Sequence, residues 1–230
     1  MRYASSVKSI LQVCSFVHQR VVLADKCVYY IATGLNTIFF LFRGLPIVLP
    51  HKNFSLKTIL NEQQLAITIQ RLGHQVLENH IDLENTVLIG IQPRGIYFSN
   101  RLVEQLKSQV AAGKIFYGKL DITFYRDDVR KGLHELNQTD IPFSIEDKNV
   151  ILIDDVLYTG RTIRAALDAL LDFGRPAKVE LCILIDRRFS RQLPIQADYT
   201  GKSIDSIITQ KVKVFWQEKD GKDEVALLEE

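Results

Sequence analysis

Two adjacent aspartates, Asp154 and Asp155, lie between an apolar run at residues 150–153 and a Thr-Gly-Arg-Thr turn at residues 159–162. Carboxylates accept hydrogen bonds from vicinal hydroxyls and hold Mg²⁺ directly or through water. The turn offers threonine hydroxyls, an arginine and a glycine that lets the backbone come close to a ligand. The free N–H groups of the helix that follows attract anions. The stretch therefore predicts a phosphate site next to a carboxylate pair, which fits a ribose 5-phosphate.

Other interpretations of this stretch are weaker. The chain contains neither the P-loop pattern GxxxxGK[ST] nor the Rossmann pattern GxGxxG. An aspartate pair alone is also compatible with a helix cap and a solvated neighbour, and Thr-Gly with an ordinary turn. The complete order of strand, aspartate pair, turn and helix favours the ligand site.

Alternating strands and helices must position this site. Apolar residues at steps of three or four predict amphipathic helices, Asn61 is a candidate N-cap, and short apolar runs predict buried strands. The predicted elements are, in chain order, Glu62–Asn79 (helix), Thr86–Ile91 (strand), 96–109 (helix), 116–125 (strand), 150–153 (strand), 161–174 (helix), 179–186 (strand) and 211–216 (strand). This order predicts an α/β fold with a mostly parallel sheet covered on both faces.

Three segments of the chain show no regular pattern. Residues 126–142 are polar and long for a connection within a compact domain, which is typical of a functional lid or a disordered loop. Residues 187–210 are interpreted as irregular, and the residues after 216 as a polar tail. None of them is a linker, so residues 56–230 are predicted to form one domain.

Composition places the chain among globular proteins. It has 230 residues, 47% of them hydrophobic, and a net charge of +2, so no bulk attraction to nucleic acid or membranes is expected. Its three cysteines, Cys14, Cys27 and Cys182, are far apart, which indicates reduced thiols in a cytoplasmic protein without a zinc site.

Residues 1–55 are predicted to be an N-terminal extension, poorly ordered or upstream of the native start. The uncharged stretch at residues 27–42 is shorter than the roughly 20 apolar residues of a membrane span, so membrane insertion is not favoured. Met1 is the only methionine, and the regular pattern begins near Lys57, which also fits a start codon other than ATG around residues 48–57. A segment that contacts a partner or a membrane and a cleaved signal are the remaining alternatives.

The stretch VILIDDVLYTGRT at residues 150–162 resembles the phosphoribosyl pyrophosphate (PRPP) motif of type I phosphoribosyltransferases. Its residues resemble most those of the PyrR family, whose members are pyrimidine operon attenuators and also uracil phosphoribosyltransferases. Four further segments fit the same family in the same order: IGIQPRGIYFSNRL, LDITFYRDD, DALLDFGRP and LPIQADYTGK. The resemblance covers about residues 57–230 and implies a type I phosphoribosyltransferase fold with a small hood and a flexible lid.

The resemblance implies the reaction of uracil with PRPP to give UMP and pyrophosphate, with Mg²⁺ as cofactor. Asp154 and Asp155 would hold the ribose hydroxyls and contact the metal indirectly, and the 159–162 turn would hold the 5-phosphate. The whole PRPP-binding stretch is Val150, Ile151, Leu152, Ile153, Asp154, Asp155, Val156, Leu157, Tyr158, Thr159, Gly160, Arg161 and Thr162.

Two other segments are expected to contact the leaving group. Gln-Pro-Arg-Gly at residues 92–95 resembles the pyrophosphate loop, in which Pro93, Arg94 and Gly95 would meet pyrophosphate and Arg94 would act as a catalytic residue. Residues 126–142 resemble the lid, with phosphate contacts expected from Arg126, Arg130 and Lys131. Asp127 and Asp128 would help to place Mg²⁺ or pair with neighbouring arginines.

The segment after Asp186 resembles the hood over the base. Val156, Ile195 and Gln196 would bind uracil, and Tyr158 favours a pyrimidine because purine-salvage relatives usually carry aspartate there. The chain has Arg188 and one extra residue where the family often has glycine, which leaves the local geometry of the hood open.

The family's second function is binding of an mRNA leader in response to UMP. Gln70, Arg71 and His74 align with its Thr-Arg-x-x-His pattern, with glutamine in place of threonine. The alternatives are an RNA-binding attenuator with little catalysis and a phosphoribosyltransferase for another base. The resemblance also implies a homodimer or a larger homo-oligomer.

Overall fold

The computed structural model describes residues 55–81, 83–110, 115–127, 137–207 and 210–229, together with the backbone of four strands before residue 50. The chain divides into two compact units, Met1–Phe54 and Ser55–Glu229, with Glu230 grouped with the first. In the first unit the four strands form an antiparallel sheet in chain order. They are β1 (Val21–Ala24), β2 (Cys27–Tyr30), β3 (Ile38–Phe42) and β4 (Leu45–Leu49).

The second unit alternates strands and helices through most of its length. Its strands are β5 (Ser55–Leu60), β6 (Thr86–Ile91), β7 (Phe116–Leu120), β8 (Asn149–Leu157), β9 (Lys178–Arg188), β10 (Tyr199–Asp205), β11 (Lys211–Phe215) and β12 (Glu224–Glu229). Its described α-helices are α1 (Glu62–Asn79), α2 (Gly95–Lys107), α3 (Arg161–Leu170) and α4 (Gln217–Asp220).

The predicted parallel sheet is confirmed. Five parallel strands pair in the order β10-β9-β8-β6-β7. The strand that carries the aspartate pair, β8, is therefore central, and its carboxyl end opens on the edge of the sheet where ligands of α/β proteins bind.

Hydrophobic clusters cover both faces of this sheet. Ile151 and Ile153 of β8 pack in one cluster with α1 and α2, while Val150 and Leu152 pack in the other with α3. This follows from the alternation of side chains along a strand. Burial on both faces explains why the strand is continuously apolar up to Asp154.

The first predicted helix is confirmed at its predicted bounds. The Asn61 side chain accepts a hydrogen bond from the backbone N–H of Gln64, and the Gln64 side chain accepts one from the Asn61 N–H. This reciprocal capping box fixes where α1 begins. No helix within the described residues is long and apolar enough to cross a membrane.

The predicted long strand at 116–125 is wrong beyond Leu120. The Asp121 carboxylate accepts hydrogen bonds from the Thr123 N–H at 3.0 Å and from the Thr123 hydroxyl at 2.6 Å, and a 3₁₀ turn follows at Thr123–Tyr125. An aspartate that bonds the backbone two residues ahead favours a turn over a strand. The β-branched and aromatic residues that suggested a strand therefore do not continue the sheet.

The interpretation of residues 187–210 as irregular is wrong at β10, which pairs with β9 at the edge of the parallel sheet. The prediction of a polar tail is also wrong. Residues 224–229 form β12, which pairs with β11 on one side and with β5 on the other. The resulting antiparallel sheet packs Val214, Trp216 and Val225 into the cluster of α1 and α2. Pairing of β5 with β12 joins the two ends of this unit, a contact that short-range patterns do not reveal.

Candidate active site

The aspartate pair lies inside β8. It was predicted to follow the strand, but β8 continues to Leu157 because β9 pairs with it as far as Asp186. Asp154 and Asp155 are each only 7% exposed, and the Asp154 carboxylate accepts a hydrogen bond from the Asp155 N–H at 2.9 Å. Two buried, adjacent carboxylates are thus held rigidly near the carboxyl end of the central strand.

Burial gives these carboxylates an unusual affinity for protons. Burial raises the pKa of Asp154 well above its ordinary value, and the charge of the neighbouring Asp155 raises that pKa further. Burial also raises the pKa of Asp155, although the Arg94 guanidinium opposes the increase. The pair therefore carries an energetic cost in its ionised form, which hydroxyl donors or a cation would relieve.

Arg94 of the predicted pyrophosphate loop lies next to this pair. Its Nε donates to Asp155 Oδ2 at 3.2 Å, and its Nη2 donates to the Val214 carbonyl of β11. The Arg94 side chain is 31% exposed, so it is open to solvent on one side. A guanidinium held in this way can offer its outer N–H groups to an anion.

Gly95 allows the pyrophosphate loop to approach the aspartates. A Cβ at this position would lie 2.8 Å from the Ile153 carbonyl oxygen and 3.0 Å from Asp154 Oδ1. Those atoms belong to the central strand and cannot move aside. The start of α2 therefore rests directly against β8, and the reason for the glycine is steric.

The predicted phosphate turn forms directly ahead of α3. Gly160 adopts a left-handed conformation with φ of 92°, and the Thr159 hydroxyl accepts a hydrogen bond from the Arg161 N–H at 3.4 Å. The α3 N-terminus thus points its first N–H groups toward the turn, as predicted. Thr162 is half-buried beside it.

Arg161 is held by carboxylate and amide oxygens. Its Nη1 lies 2.5 Å from Asp127 Oδ2, and its Nε donates to Gln192 Oε1 at 2.8 Å. Asp127 therefore pairs with an arginine, one of the two roles predicted for it. A surface ion pair of this kind exchanges easily for a ligand anion.

The lid is described only at its stems. The charge of Arg126 lowers the pKa of Asp154, against the larger effect of burial. Asp128, Arg130 and Lys131 lie outside the described residues.

The predicted hood, residues 187–197, bonds to the predicted phosphate turn through its backbone. The N–H groups of Gln192 and Leu193 donate to the Thr159 carbonyl at 3.0 and 3.3 Å, and the Ile195 N–H donates to the Leu193 carbonyl at 2.8 Å. Val156 and Ile195 are half-buried, and Gln196 is exposed. A Cβ on Gly160 would lie 3.1 Å from Ile195 Cδ1, so the hood contacts the turn directly.

Two residues of this segment, Arg188 and Phe189, lie at the surface. Phe189 has φ of 63° and is 86% exposed, and Arg188 pairs with Asp205 at 2.8 Å. A left-handed conformation is unfavourable for a bulky side chain. Phe189 is therefore a strained and exposed position in the segment where the sequence departs from the family pattern.

Sequence reasoning missed two arginines of the hood. Arg187 is buried, its guanidinium carbon lies 3.9 Å from the centre of the Tyr158 ring, and its Nε donates to Ser206 at 2.8 Å. Arg191 hydrogen-bonds to the end of β8. In the sequence, both are charged residues within the run Asp-Arg-Arg-Phe-Ser-Arg at residues 186–191. Three arginines within five residues were the only indication of a role.

The residues predicted to bind RNA lie on α1. Gln70, Arg71 and His74 are exposed. Arg71 Nη2 also donates to the Gly201 carbonyl of β10 and lies 3.4 Å from that of Thr200. The helix and the edge strand of the parallel sheet thus share one polar surface.

Within the described ranges, no three His, Cys, Asp or Glu side chains come together as a cation site. The Asp154–Asp155 pair fits a Mg²⁺ ion that keeps water and takes its other oxygen ligands from a phosphorylated substrate.

Comparison with known proteins identifies the class. Residues 55–219 match the family described as "Phosphoribosyl transferase domain". Two solved structures share the fold. The hypoxanthine-guanine phosphoribosyltransferase from Bacillus anthracis is 21% identical with a TM-score of 0.56, and the match covers 75% of this chain and 98% of that one. The hypoxanthine phosphoribosyltransferase from Trypanosoma cruzi is 17% identical with a TM-score of 0.56, and the match covers 75% of this chain and 96% of that one.

Curated relatives define the family more narrowly. "Bifunctional protein PyrR" of Elusimicrobium minutum is 47% identical over 175 residues, which cover 75% of this chain and 96% of that protein. The protein of the same name from Bacillus subtilis is 44% identical over 175 residues, with 74% and 96% covered. The chain therefore belongs to the PyrR family of phosphoribosyltransferases.

Proposed function

We propose that this protein transfers a phosphoribosyl group from PRPP to uracil, forming UMP and pyrophosphate. The observation that carries the proposal is the convergence of three elements at the end of β8. These are the buried aspartate pair, the phosphate turn before α3, and Arg94 at 3.2 Å from Asp155. PRPP presents ribose hydroxyls, a 5-phosphate and a pyrophosphate, one for each element.

The aspartates and the turn hold the ribose 5-phosphate half. Carboxylates 154 and 155 accept hydrogen bonds from the two ribose hydroxyls. The 5-phosphate replaces the Asp127 carboxylate on Arg161 and accepts bonds from the first N–H groups of α3. This fixes the carbon that is attacked relative to the hood.

Arg94 and the Gly95 N–H receive the leaving pyrophosphate. Charge develops on the leaving oxygen as its bond to the ribose carbon breaks, and fixed donors aimed at that charge lower the barrier. Mg²⁺ neutralises part of the pyrophosphate charge when it is bound, and the Asp154–Asp155 pair is the candidate protein contact for it. The lid, through Arg126, excludes water from the site.

The hood and the residues under it recognise the base. Val156 offers a half-buried apolar surface at the end of β8, and Tyr158 is fixed by its stacking with Arg187. Because the Ile195 N–H already bonds the Leu193 carbonyl, we assign recognition of the polar edge of uracil to the backbone around Gln196. A tyrosine in place of an aspartate removes the acceptor that a purine ring would use.

Formation of UMP from labelled uracil, PRPP and Mg²⁺ tests the proposal, with hypoxanthine, guanine and orotate as competing bases. We expect turnover with uracil alone. Asp155→Asn and Arg94→Ala should each lower kcat/KM by about 10²- to 10³-fold, the usual cost of losing a fixed group that stabilises the transition state. Turnover with a purine or orotate, or none with uracil, would contradict the proposed reaction.

A second proposed function is binding of an mRNA leader in response to UMP. The observation that favours it is the exposed surface shared by α1 and β10, where Arg71 and His74 lie one helical turn apart. Lys202 on β10 adds an exposed ammonium group near the base of α1, where it donates to the Ile59 carbonyl. Arginine and histidine side chains contact RNA phosphates and unstacked bases.

Binding of a leader RNA to the Arg71→Ala and His74→Ala variants tests this function. We expect each variant to weaken RNA affinity by about tenfold while uracil turnover stays at the parental level, because both side chains are exposed on α1 and are assigned no contact with PRPP or uracil. Affinity of the parent should fall steeply with salt. Glu78→Ala, an exposed change one turn further along α1, is the control, and an equal loss there would contradict a specific role for Arg71 and His74.

The proposed activities concern residues 55–229. A match of 175 residues covers 96% of the relative from Elusimicrobium minutum, so the second unit corresponds to nearly all of that protein. Residues 1–55 stay a predicted extension. A homodimer or larger homo-oligomer is likewise proposed from the family resemblance.

A further inference from the structure

Arg191 joins the hood to the end of the central strand. Its guanidinium donates to the carbonyls of Leu157 at 3.2 Å and Tyr158 at 2.6 Å, both on the chain that leads from β8 into the phosphate turn. The same group donates to the hood carbonyls of Arg187 at 3.1 Å and Ile195 at 3.0 Å. One planar side chain thus links four carbonyls of two segments.

The Asp186 carboxylate completes this arrangement. It accepts a hydrogen bond from Arg191 Nη2 and lies at the end of β9. The Arg191 and Asp186 side chains are 23% and 18% exposed, so water screens this charge pair only in part. Arginine suits the position because it carries five donors in a fixed plane, whereas lysine offers three donors around one nitrogen.

The hydrogen bonds connect base recognition to the PRPP motif. Ile195 precedes Gln196, to whose backbone uracil recognition is assigned, and Tyr158 stands at the position that discriminates between bases. Arg191 bonds the carbonyls of Ile195 and Tyr158, whereas the ribose and the 5-phosphate are assigned to the aspartate pair and the phosphate turn. Its loss would loosen the hood at the end of β8. The Gln192 and Leu193 N–H groups would still bond the Thr159 carbonyl and keep the phosphate turn in place.

We infer that Arg191 is a positioning residue that sets affinity for the base by fastening the hood to the end of β8. This inference rests on the proposed function, since it assumes that the hood covers a base. It assigns Arg191 no contact with the reacting atoms. Its effect should therefore fall on ligands that contain the base and spare ligands that contain only the ribose phosphate.

Calorimetric binding of UMP and of ribose 5-phosphate to the full chain separates these effects without requiring turnover. For Arg191→Gln we expect the dissociation constant of UMP to rise about tenfold, which is the loss typical of a disturbed polar contact in a binding site. The dissociation constant of ribose 5-phosphate should stay within about twofold of the parental value. In steady-state assays the KM for uracil should rise similarly and the KM for PRPP should stay nearly constant. Arg191→Lys should not restore UMP binding.

Two further variants complete the experiment. Arg188→Gln removes an exposed arginine of the same segment that pairs with Asp205, and it should leave both dissociation constants at parental values. Asp186→Asn keeps an oxygen for Arg191 but removes the charge. It should raise the dissociation constant of UMP by a smaller factor and leave that of ribose 5-phosphate unchanged. The inference therefore stays testable if Arg191→Gln does not fold. Equal weakening of UMP and ribose 5-phosphate, or no change in either, would overturn it. A parent that binds ribose 5-phosphate but not UMP would instead contradict the proposed base.

Discussion

An Asp154→Asn variant is expected to lose about 10²- to 10³-fold in kcat/KM for PRPP while unfolding at a higher temperature than the parent. The loss of activity follows from the missing carboxylate, since asparagine offers one weaker acceptor to the ribose hydroxyls and no charge to the metal. The gain in stability follows from burial. Asp154 is 7% exposed beside Asp155, and an ionised pair there is costly in the folded protein.

The sign of the pH dependence distinguishes this explanation from a simple packing effect. The folded state raises the pKa of Asp154 above its value in the unfolded chain, so the folded state holds the proton more tightly. The stability from this group is present at acidic pH and is lost as the pH rises from the ordinary carboxyl range through the raised pKa. The difference in melting temperature between Asp154→Asn and the parent should therefore widen as the pH rises above the ordinary range of a carboxyl group.

Thermal unfolding over this pH range and initial-rate assays at neutral pH make the test. Asp205→Asn is the matched control, because Asp205 is exposed and pairs with Arg188 on the surface. It should leave both activity and melting temperature nearly unchanged. A lower melting temperature for Asp154→Asn at neutral pH would show that the carboxylate stabilises the fold and would contradict an energetic cost of the ionised pair.

A Gly95→Ala variant is expected to lose about 10²-fold in kcat/KM, because displacing a reacting group by about 1 Å costs that much. The added methyl group would lie 2.8 Å from the Ile153 carbonyl oxygen and 3.0 Å from Asp154 Oδ1. The central strand cannot yield, so the start of α2 and Arg94 must move away from the aspartates. Contact between Arg94 and the leaving pyrophosphate would weaken in consequence.

Gly73→Ala provides the comparison for this substitution. Gly73 is buried in α1, but the nearest atom to its added methyl group is Cγ of the flexible Gln105 side chain, at 3.1 Å. Alanine also favours the helix, so folding and turnover should be preserved. Initial rates at varied PRPP, with melting temperatures for both variants, provide the measurement. Parental kcat/KM in Gly95→Ala would refute the steric role assigned to this glycine.

The sequence alone determined the local features of this protein. Helix α1 begins and ends where predicted because its capping box and its apolar periodicity involve residues three or four apart. The parallel sheet was predictable because strands buried on both faces must be continuously apolar. The PRPP motif was recognisable because strand, aspartates, turn and helix follow one another within thirteen residues, 150–162.

Tertiary structure decided the features that depend on distant residues. The pairing of β5 with β12, the approach of Gly95 to β8 and the contact of Arg94 with Asp155 join segments far apart in the chain. The role of Arg191 was equally hidden, since a charge in an irregular segment is usually solvated. Arg191 can form its hydrogen bonds because β8 and β9 lie side by side in the sheet. This pairing brings the carbonyls at the end of β8 within reach of Arg191, which follows β9 in the chain.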